Sequence, residues 1–263
     1  LKSDFDMHSY LELKNPAELK KVPYVPSYAE GDDAVRAFLD GGLYEAKELE
    51  TEIARLLGPV APVVLLPEFK NLNPVVTLDR MILSAMVEGI NKNPRNGKYN
   101  EKYIRGIETM DKFAKERGLY GLAALNGSES YCTTRVALDS HGAPVLMSTV
   151  DWAFRGLGNH LRIATFKDDH GGSYEVATLP GFEGVLRAQS KWGAAAIHKA
   201  PMERHTGFER IDSAWDTAKN FPQLLHNLRD GKMISSHALR AVFDHSKSYE
   251  EAVRMYAHLD LAH

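Results

Sequence analysis

The sequence predicts an α+β fold, helical as far as about residue 125 and stranded beyond it. Before that point apolar residues recur at spacings of three and four, the period of a helix with one buried side. After Tyr131, β-branched and apolar residues gather in short runs broken by Asp- and Gly-bearing turns. Between the two regimes lies the polar run Asn126-Gly127-Ser128-Glu129-Ser130, read as a flexible linker immediately before Tyr131 and Cys132.

Length and composition bound the rest. A chain of 263 residues with 44% hydrophobic content can bury a sizeable core as one large domain or two small ones. Its 32 basic and 35 acidic side chains nearly balance, so no field draws it to nucleic acid or to an anionic membrane, and no nucleic-acid partner is expected. No apolar run approaches the roughly 18 residues of a spanning helix. The N-terminal Leu-Lys-Ser-Asp-Phe-Asp lacks the apolar region of a signal peptide. The expectation is a soluble stretch with no integral membrane segment: cytoplasmic in a bacterium, lysosomal or secreted where a leader has been removed. The single cysteine rules out an intrachain disulfide framework. Asn126-Gly127-Ser128 fits the glycosylation acceptor pattern, a triplet that chance also supplies.

In chain order, residues 1 to about 30 read as an extended arm punctuated by Pro16, Pro23 and Pro26. Asp32 or Asp33 caps a helix with Val35, Phe38 and Leu39 inward, stopped by Gly41-Gly42; a second follows from Leu43 to Leu57. After the apolar stretch from Pro59 to Pro67, Leu78 to Ile90 reads as a helix with Met81, Ile82, Ala85 and Met86 inward. Lys92 to Asn100, with Asn96-Gly97, reads as a polar loop. From Asn100 a charged helix carries Tyr103, Ile104, Ile107, Met110 and Phe113 and closes at Gly118. Leu119 to Leu125 is a short apolar segment.

Beyond the linker, Cys132 to Leu138 and Val145 to Trp152 are strands joined by the turn Asp139-Ser140-His141-Gly142. Paired antiparallel about that turn, they bring the neighbourhood of Asp151 back beside Cys132. Leu161 to Phe166 and Tyr174 to Thr178 form a second hairpin; Pro180 to Leu186 and Trp192 to Ile197 suggest a third. A helix is expected from Ala214 to Leu228, interrupted by Pro222, and another from Ser235 to Asp244 with Leu239, Val242 and Phe243 inward. Ser248-Tyr249-Glu250-Glu251 opens the last helix with a capping box.

The pattern Cys132-Thr133, then Gly142 ten residues on, then Val150-Asp151-Trp152 resembles the start of the catalytic subunit in the N-terminal-nucleophile amidases: acid ceramidase, N-acylethanolamine acid amidase and the choloylglycine hydrolases with penicillin V acylase. Ser-Tyr-Leu-Glu-Leu before Pro16, the glycine turn at Pro180-Gly181 and the run Ser248 to Ala252 are similar to further parts of that pattern. The resemblance implies an αββα sandwich. It divides the chain into a helical propeptide or α-subunit-like part, 1–131, and the start of the catalytic part, 132–263; relatives continue through several more strands that supply an oxyanion asparagine and a further arginine.

It also implies a zymogen that cuts itself between Tyr131 and Cys132, Cys132 as thiol nucleophile with its own α-amine as base, and Asp151 orienting that amine. Relatives carry Arg-Asn or Arg-Thr before the Asp where this chain has Ser148-Thr149, and Arg135, three residues after Cys132, is the residue offered for the missing positive charge. Trp152 and Phe154 would line the acyl pocket. The implied reaction is hydrolysis of a linear amide, an N-acyl amine with a lipid-like acyl chain, through an acyl-cysteine, with no cofactor and no metal. Two alternatives stand beside it: an acyltransferase of the isopenicillin-N type, and a non-catalytic relative that no longer cuts itself.

Each assignment has a plainer counterpart. A lone cysteine at a strand start also serves as a small buried apolar residue. Asp151 suits a turn, Arg135 an exposed strand position, and Trp152 and Phe154 ordinary core. The eleven histidines, His198, His205 and His237 among them, show no zinc-site spacing and read as scattered surface residues.

Overall fold

The computed structural model describes residues 20–22, 74–116, 118, 120–127, 131–151, 161–179, 181–197 and 220–262. The helices expected between Asp32 and Leu57 lie outside these residues, as do Trp152, Phe154, His198 and His205. What is described mixes helices with largely antiparallel sheets, an α+β arrangement.

Among the described residues, three helices lie between 74 and 127: α1 (Pro74–Gly89), α2 (Gly97–Lys115) and the short α3 (Leu122–Gly127). The apolar periodicity read from the sequence is the buried face of α1, through Leu78, Ile82, Ala85 and Met86, and of α2, through Tyr103, Ile104, Ile107, Met110 and Phe113. Gly118, at φ 71°, turns the chain back after α2, a conformation that costs glycine little. The helix α2 begins at Gly97, earlier than the expected Asn100. Asn96 is no loop tip: it is fully buried, donates to the carbonyls of Gly231 and Asp260 and accepts from the amide of Asp260.

Strands β2 (Tyr131–Leu138) and β3 (Pro144–Asp151) form a separate hairpin. Among the described residues the other sheet has five strands in the order β1 (Lys20–Val22), β4 (Arg162–Lys167), β5 (Ser173–Thr178), β6 (Arg187–Ser190) and β7 (Gly193–Ala196); β1 pairs parallel with β4 and the remaining pairs are antiparallel. The arm expected at the N-terminus thus contributes a sheet strand at Lys20–Val22. The first strand of the third hairpin falls later than expected, because 181 to 186 are not strand: they form a buried connection, and the pair is Arg187–Ser190 with Gly193–Ala196.

The final helices are α4 (Ser235–His245) and α5 (Tyr249–His258), preceded by a helical stretch over 220–229 that runs through Pro222. The amide of Glu251 donates to Ser248 Oγ as the capping box requires, while the Glu251 carboxylate reaches Lys247 N, one residue earlier than the motif's usual return bond.

Alternation along β5 turns Tyr174, Val176 and Thr178 inward, and there Ala164, Phe166, Tyr174 and Val176 pack on Leu239, Val242 and Phe243 of α4. A second cluster joins Ile82, Met86, Ile107 and Phe113 from the helices to Leu179, Phe182, Leu186, Leu228 and Ile234. Each fully buried large apolar side chain contributes roughly 1.5–3 kcal/mol. Residues on both sides of Tyr131 therefore share one core.

The linker reading fails at its start. Asn126 and Gly127 end α3 and are buried, with Asn126 at 0% exposure. Asn126 Nδ2 donates to the carbonyls of Leu122 and Gly181, and its Oδ1 accepts from Glu183 N at 2.7 Å. A Cβ on Gly127 would stand 2.4 Å from Ile82 Cγ2, so the glycine permits close packing of α3 on α1. The glycosylation reading goes with it, since the amide nitrogen that would carry the sugar is enclosed and occupied. Asn126→Ala is expected to leave the Gly181 carbonyl and the Glu183 amide buried without this partner, at about 1–3 kcal/mol for each, measurable as a lowered urea midpoint. Intact mass from a glycosylating host should show no glycan at Asn126.

Candidate functional site

The β2–β3 hairpin is set by its turn. Asp139 Oδ1 accepts from His141 N and Ala143 N, Gly142 N donates to the Asp139 carbonyl, and Gly142 takes φ 79°. The β4–β5 turn repeats the device with Asp168, His170, Gly171 and Gly172. An Asp followed two residues later by His and three later by Gly thus specifies both hairpins, through an aspartate that closes the turn on its own backbone. The register that follows pairs Tyr131 with Asp151, Cys132 with Val150 and Thr134 with Ser148.

At the level of the backbone, Asp151 lies directly across from the residue preceding Cys132 and one position from the cysteine's own partner. Arg135 pairs with Met147 and its side chain is exposed; three residues along a strand separate it from Cys132, roughly 10 Å. Thr134 Oγ1 donates to the Ile197 carbonyl at 3.2 Å, tying β2 to the chain just after β7. The far end of the hairpin is open to solvent, with Val136 and Leu138 70% and 71% exposed, and Val145 and Met147 exposed beside them.

A cluster that periodicity did not indicate lies between α2, α4 and the sheet. Arg240, on α4, is 3% exposed. Its Nη1 stands 2.6 Å from Glu183 Oε1 and donates to the Glu183 carbonyl at 2.8 Å, while Nε lies 3.6 Å from Asp244 Oδ2. Its guanidinium sits over the rings of Phe166, at 4.6 Å, and Tyr103, at 5.2 Å. Asp244 accepts from Tyr103 at 2.8 Å, from Tyr174 at 2.5 Å and from Lys102 at 3.1 Å.

Burial alone would raise the Asp244 carboxyl, yet Arg240, Lys102 and the two tyrosine hydroxyls outweigh it and hold the group below its ordinary range. Glu183 moves the other way: burial raises it more than Arg240 lowers it. At the rim, Asp169 N donates to the Asp244 carbonyl, Asp169 Oδ2 meets His245 Nδ1 at 2.6 Å, and His170 Nε2 meets the His245 carbonyl at 2.9 Å. The carboxylates of this cluster face internal partners, so it fixes helices to strands rather than presenting groups to a substrate. The sequence signal for it is a charged pair at i and i+4, Arg240 and Asp244, on a helix with Leu239, Val242 and Phe243 on its apolar side.

Among the histidines His237 is buried, contrary to the surface reading, whereas His141, His170, His226 and His258 are exposed. Among the described residues no group of three or more His, Cys, Asp or Glu is arranged to hold a metal ion, and no helix is long and apolar enough to cross a membrane. No protein-family model matches the chain, and no curated protein matches it.

Removing Arg240 should leave the buried Glu183 carboxyl without its salt-bridge partner, while Asp244 keeps Lys102 and the two tyrosine hydroxyls. Arg240→Met is expected to cost about 3–5 kcal/mol. Burial already raises the Glu183 carboxyl, and without the guanidinium nothing as close opposes that rise, so Glu183 binds its proton more tightly in the folded than in the unfolded state and that contribution to stability is lost as pH rises through the raised folded value. The gap in unfolding free energy between wild type and Arg240→Met should therefore be smaller at pH 5 than at pH 8, read from urea melts at the two values.

Proposed function

We propose that the chain is a cysteine amidase of the N-terminal-nucleophile kind, cut between Tyr131 and Cys132 and acting on an N-acyl amine through an acyl-cysteine, within an αββα sandwich. The observation that carries the reading is the β2–β3 register: the strand that bears Cys132 has Asp151 opposite Tyr131, so a carboxylate-bearing residue lies across from the peptide bond to be cut. The sequence pattern from Cys132 to Asp151 supplies the rest.

In this reading the precursor is inactive because the nitrogen of Cys132 is an amide and cannot accept a proton. Cleavage converts it to an amine with an ordinary pKa near 8, adjacent to the thiol, so no histidine is required as base. The amine takes the thiol proton and sulfur attacks the substrate carbonyl. The leaving amine departs with that proton. Water then attacks the acyl-cysteine, restoring the thiol and releasing the acid. Asp151 orients the α-amine, Arg135 is the cation offered in place of the arginine found in relatives, and Trp152 and Phe154 face the acyl chain.

The shared core bears on how a processed form would behave. Because Ile82, Ile107 and Phe113 pack with Phe182, Leu186 and Ile234, fragments 1–131 and 132–263 should stay together after the cut and separate only in denaturant. Mass spectrometry under native and denaturing conditions should give one complex and two chains, and Cys132→Ala should give a single uncut chain without amidase activity. An alanine variant that still splits at this position, or still hydrolyses an N-acyl substrate, overturns the nucleophile assignment. Asp151→Asn should lower kcat far more than it changes KM; an unchanged kcat reduces Asp151 to a structural residue.

A further inference from the structure

The start of α3, the helix that leads towards the Cys132 strand, is held by a carboxylate from another helix. Asp79 of α1, 0% exposed, accepts from the amides of Ala123, at 2.8 Å, and Ala124, at 3.0 Å. Its other oxygen, Oδ2, is buried with no hydrogen-bond donor among the described groups, and the same is true of Asp111 Oδ1 on α2. The remaining Asp111 oxygen is engaged by Lys115, whose Nζ lies 3.5 Å from Asp79 Oδ2. We infer that Asp79 and Asp111 share a single proton, and that this proton closes a clamp across α1 and α2 which steadies the start of α3.

Buried carboxylate oxygens that accept no hydrogen bond are costly, and because the Asp79 and Asp111 side chains interact, one proton turns the pair into a donor and an acceptor. The charge count agrees. The titratable groups in contact here are Asp79 on α1 and Asp111 and Lys115 on α2, while α3 contributes only the backbone amides of Ala123 and Ala124. With both carboxyls ionised the group carries one uncompensated negative charge; with the shared proton it is neutral. Burial, and then the Asp111 carboxylate, push the Asp79 carboxyl up to about 6, against the bond from Ala124 N and the charge of Lys115.

The sign follows. A folded value raised above the unfolded one favours the closed clamp in acid, and that contribution is lost as pH rises through about 6. Above it, repulsion and the need for hydration favour opening of the α1–α2 seam, which uncovers the two α3 amides. Only residues 128–130 lie between α3 and β2, so the clamp steadies the approach to the Cys132 strand whether or not that strand is catalytic.

The test is hydrogen exchange at Ala123 and Ala124 in the full chain at pH 5 and pH 8. Rates are taken relative to intrinsic exchange and compared with residues 235–245 as an internal reference. Wild type should lose about tenfold or more of its relative protection at the higher pH. Asp111→Asn, whose amide donates to Asp79 at any pH, should lose none. Equal protection of wild type at both values, or the same loss in Asp111→Asn, overturns the inference. Should that variant fold poorly, carbon-13 titration of the wild-type aspartate carboxyls decides: uptake of one proton by the pair near pH 6 supports the clamp, and ordinary titration of both near pH 4 overturns it.

Discussion

The arrangement of α4 against the sheet depends on one buried cation. Arg240 is enclosed by Glu183, Asp244, Phe166 and Tyr103, four groups drawn from a connection, its own helix, a strand and α2. Taking a guanidinium out of water costs several kcal/mol, which two carboxylates, a carbonyl and two ring faces offset only if all stand in place at once. The cluster is therefore demanding about geometry. A shift of α4 along the sheet would separate Arg240 from Glu183 and strip Asp244 of Tyr174, whereas the apolar contacts of Leu239 and Val242 tolerate sliding.

Neutral amides perform the same task where charges do not reach. Asn126 joins the end of α3 to Gly181 and Glu183. Asn96 and Asn100 both donate to the Gly231 carbonyl, Asn96 also grips Asp260, and Asn227 donates to the Ala262 carbonyl at 2.5 Å. Each satisfies backbone groups of a connection buried against helices, where unpaired amides and carbonyls would be costly. Gly231, at φ 75°, permits a close approach of this kind: a Cβ there would stand 2.6 Å from the Gly89 carbonyl oxygen.

These crosslinks bear on the proposed chemistry. The segment before Cys132 is anchored at Asn126 and Gly127 rather than loose over its whole length, so any strain at the Tyr131–Cys132 bond has a fixed support on its N-terminal side. On the other side, Thr134 holds β2 to the Ile197 carbonyl. The stretch containing the bond is thus tethered at both ends, while the apolar far end of the hairpin extends into solvent.

By itself the sequence determined the elements that local chemistry dictates. Apolar spacing gave the buried faces of α1, α2 and α4; the repeated Asp-x-His-Gly gave two turns and, with them, the register that aligns Tyr131 with Asp151; Ser248 gave the cap of α5. These follow from a few neighbouring residues, which is why they were legible. Only the tertiary structure decided where polar residues went. Asn96-Gly97 and Asn126-Gly127 have the composition of exposed turns, yet both asparagines are buried, because their amides meet backbone groups more than fifty residues away. Spacing likewise gave no sign that Asp79, Glu183, Arg240 and Asp244 are buried, because partners distant in the chain enclose them. A buried polar group is specified by what surrounds it in space, and spacing along the chain carries no record of that.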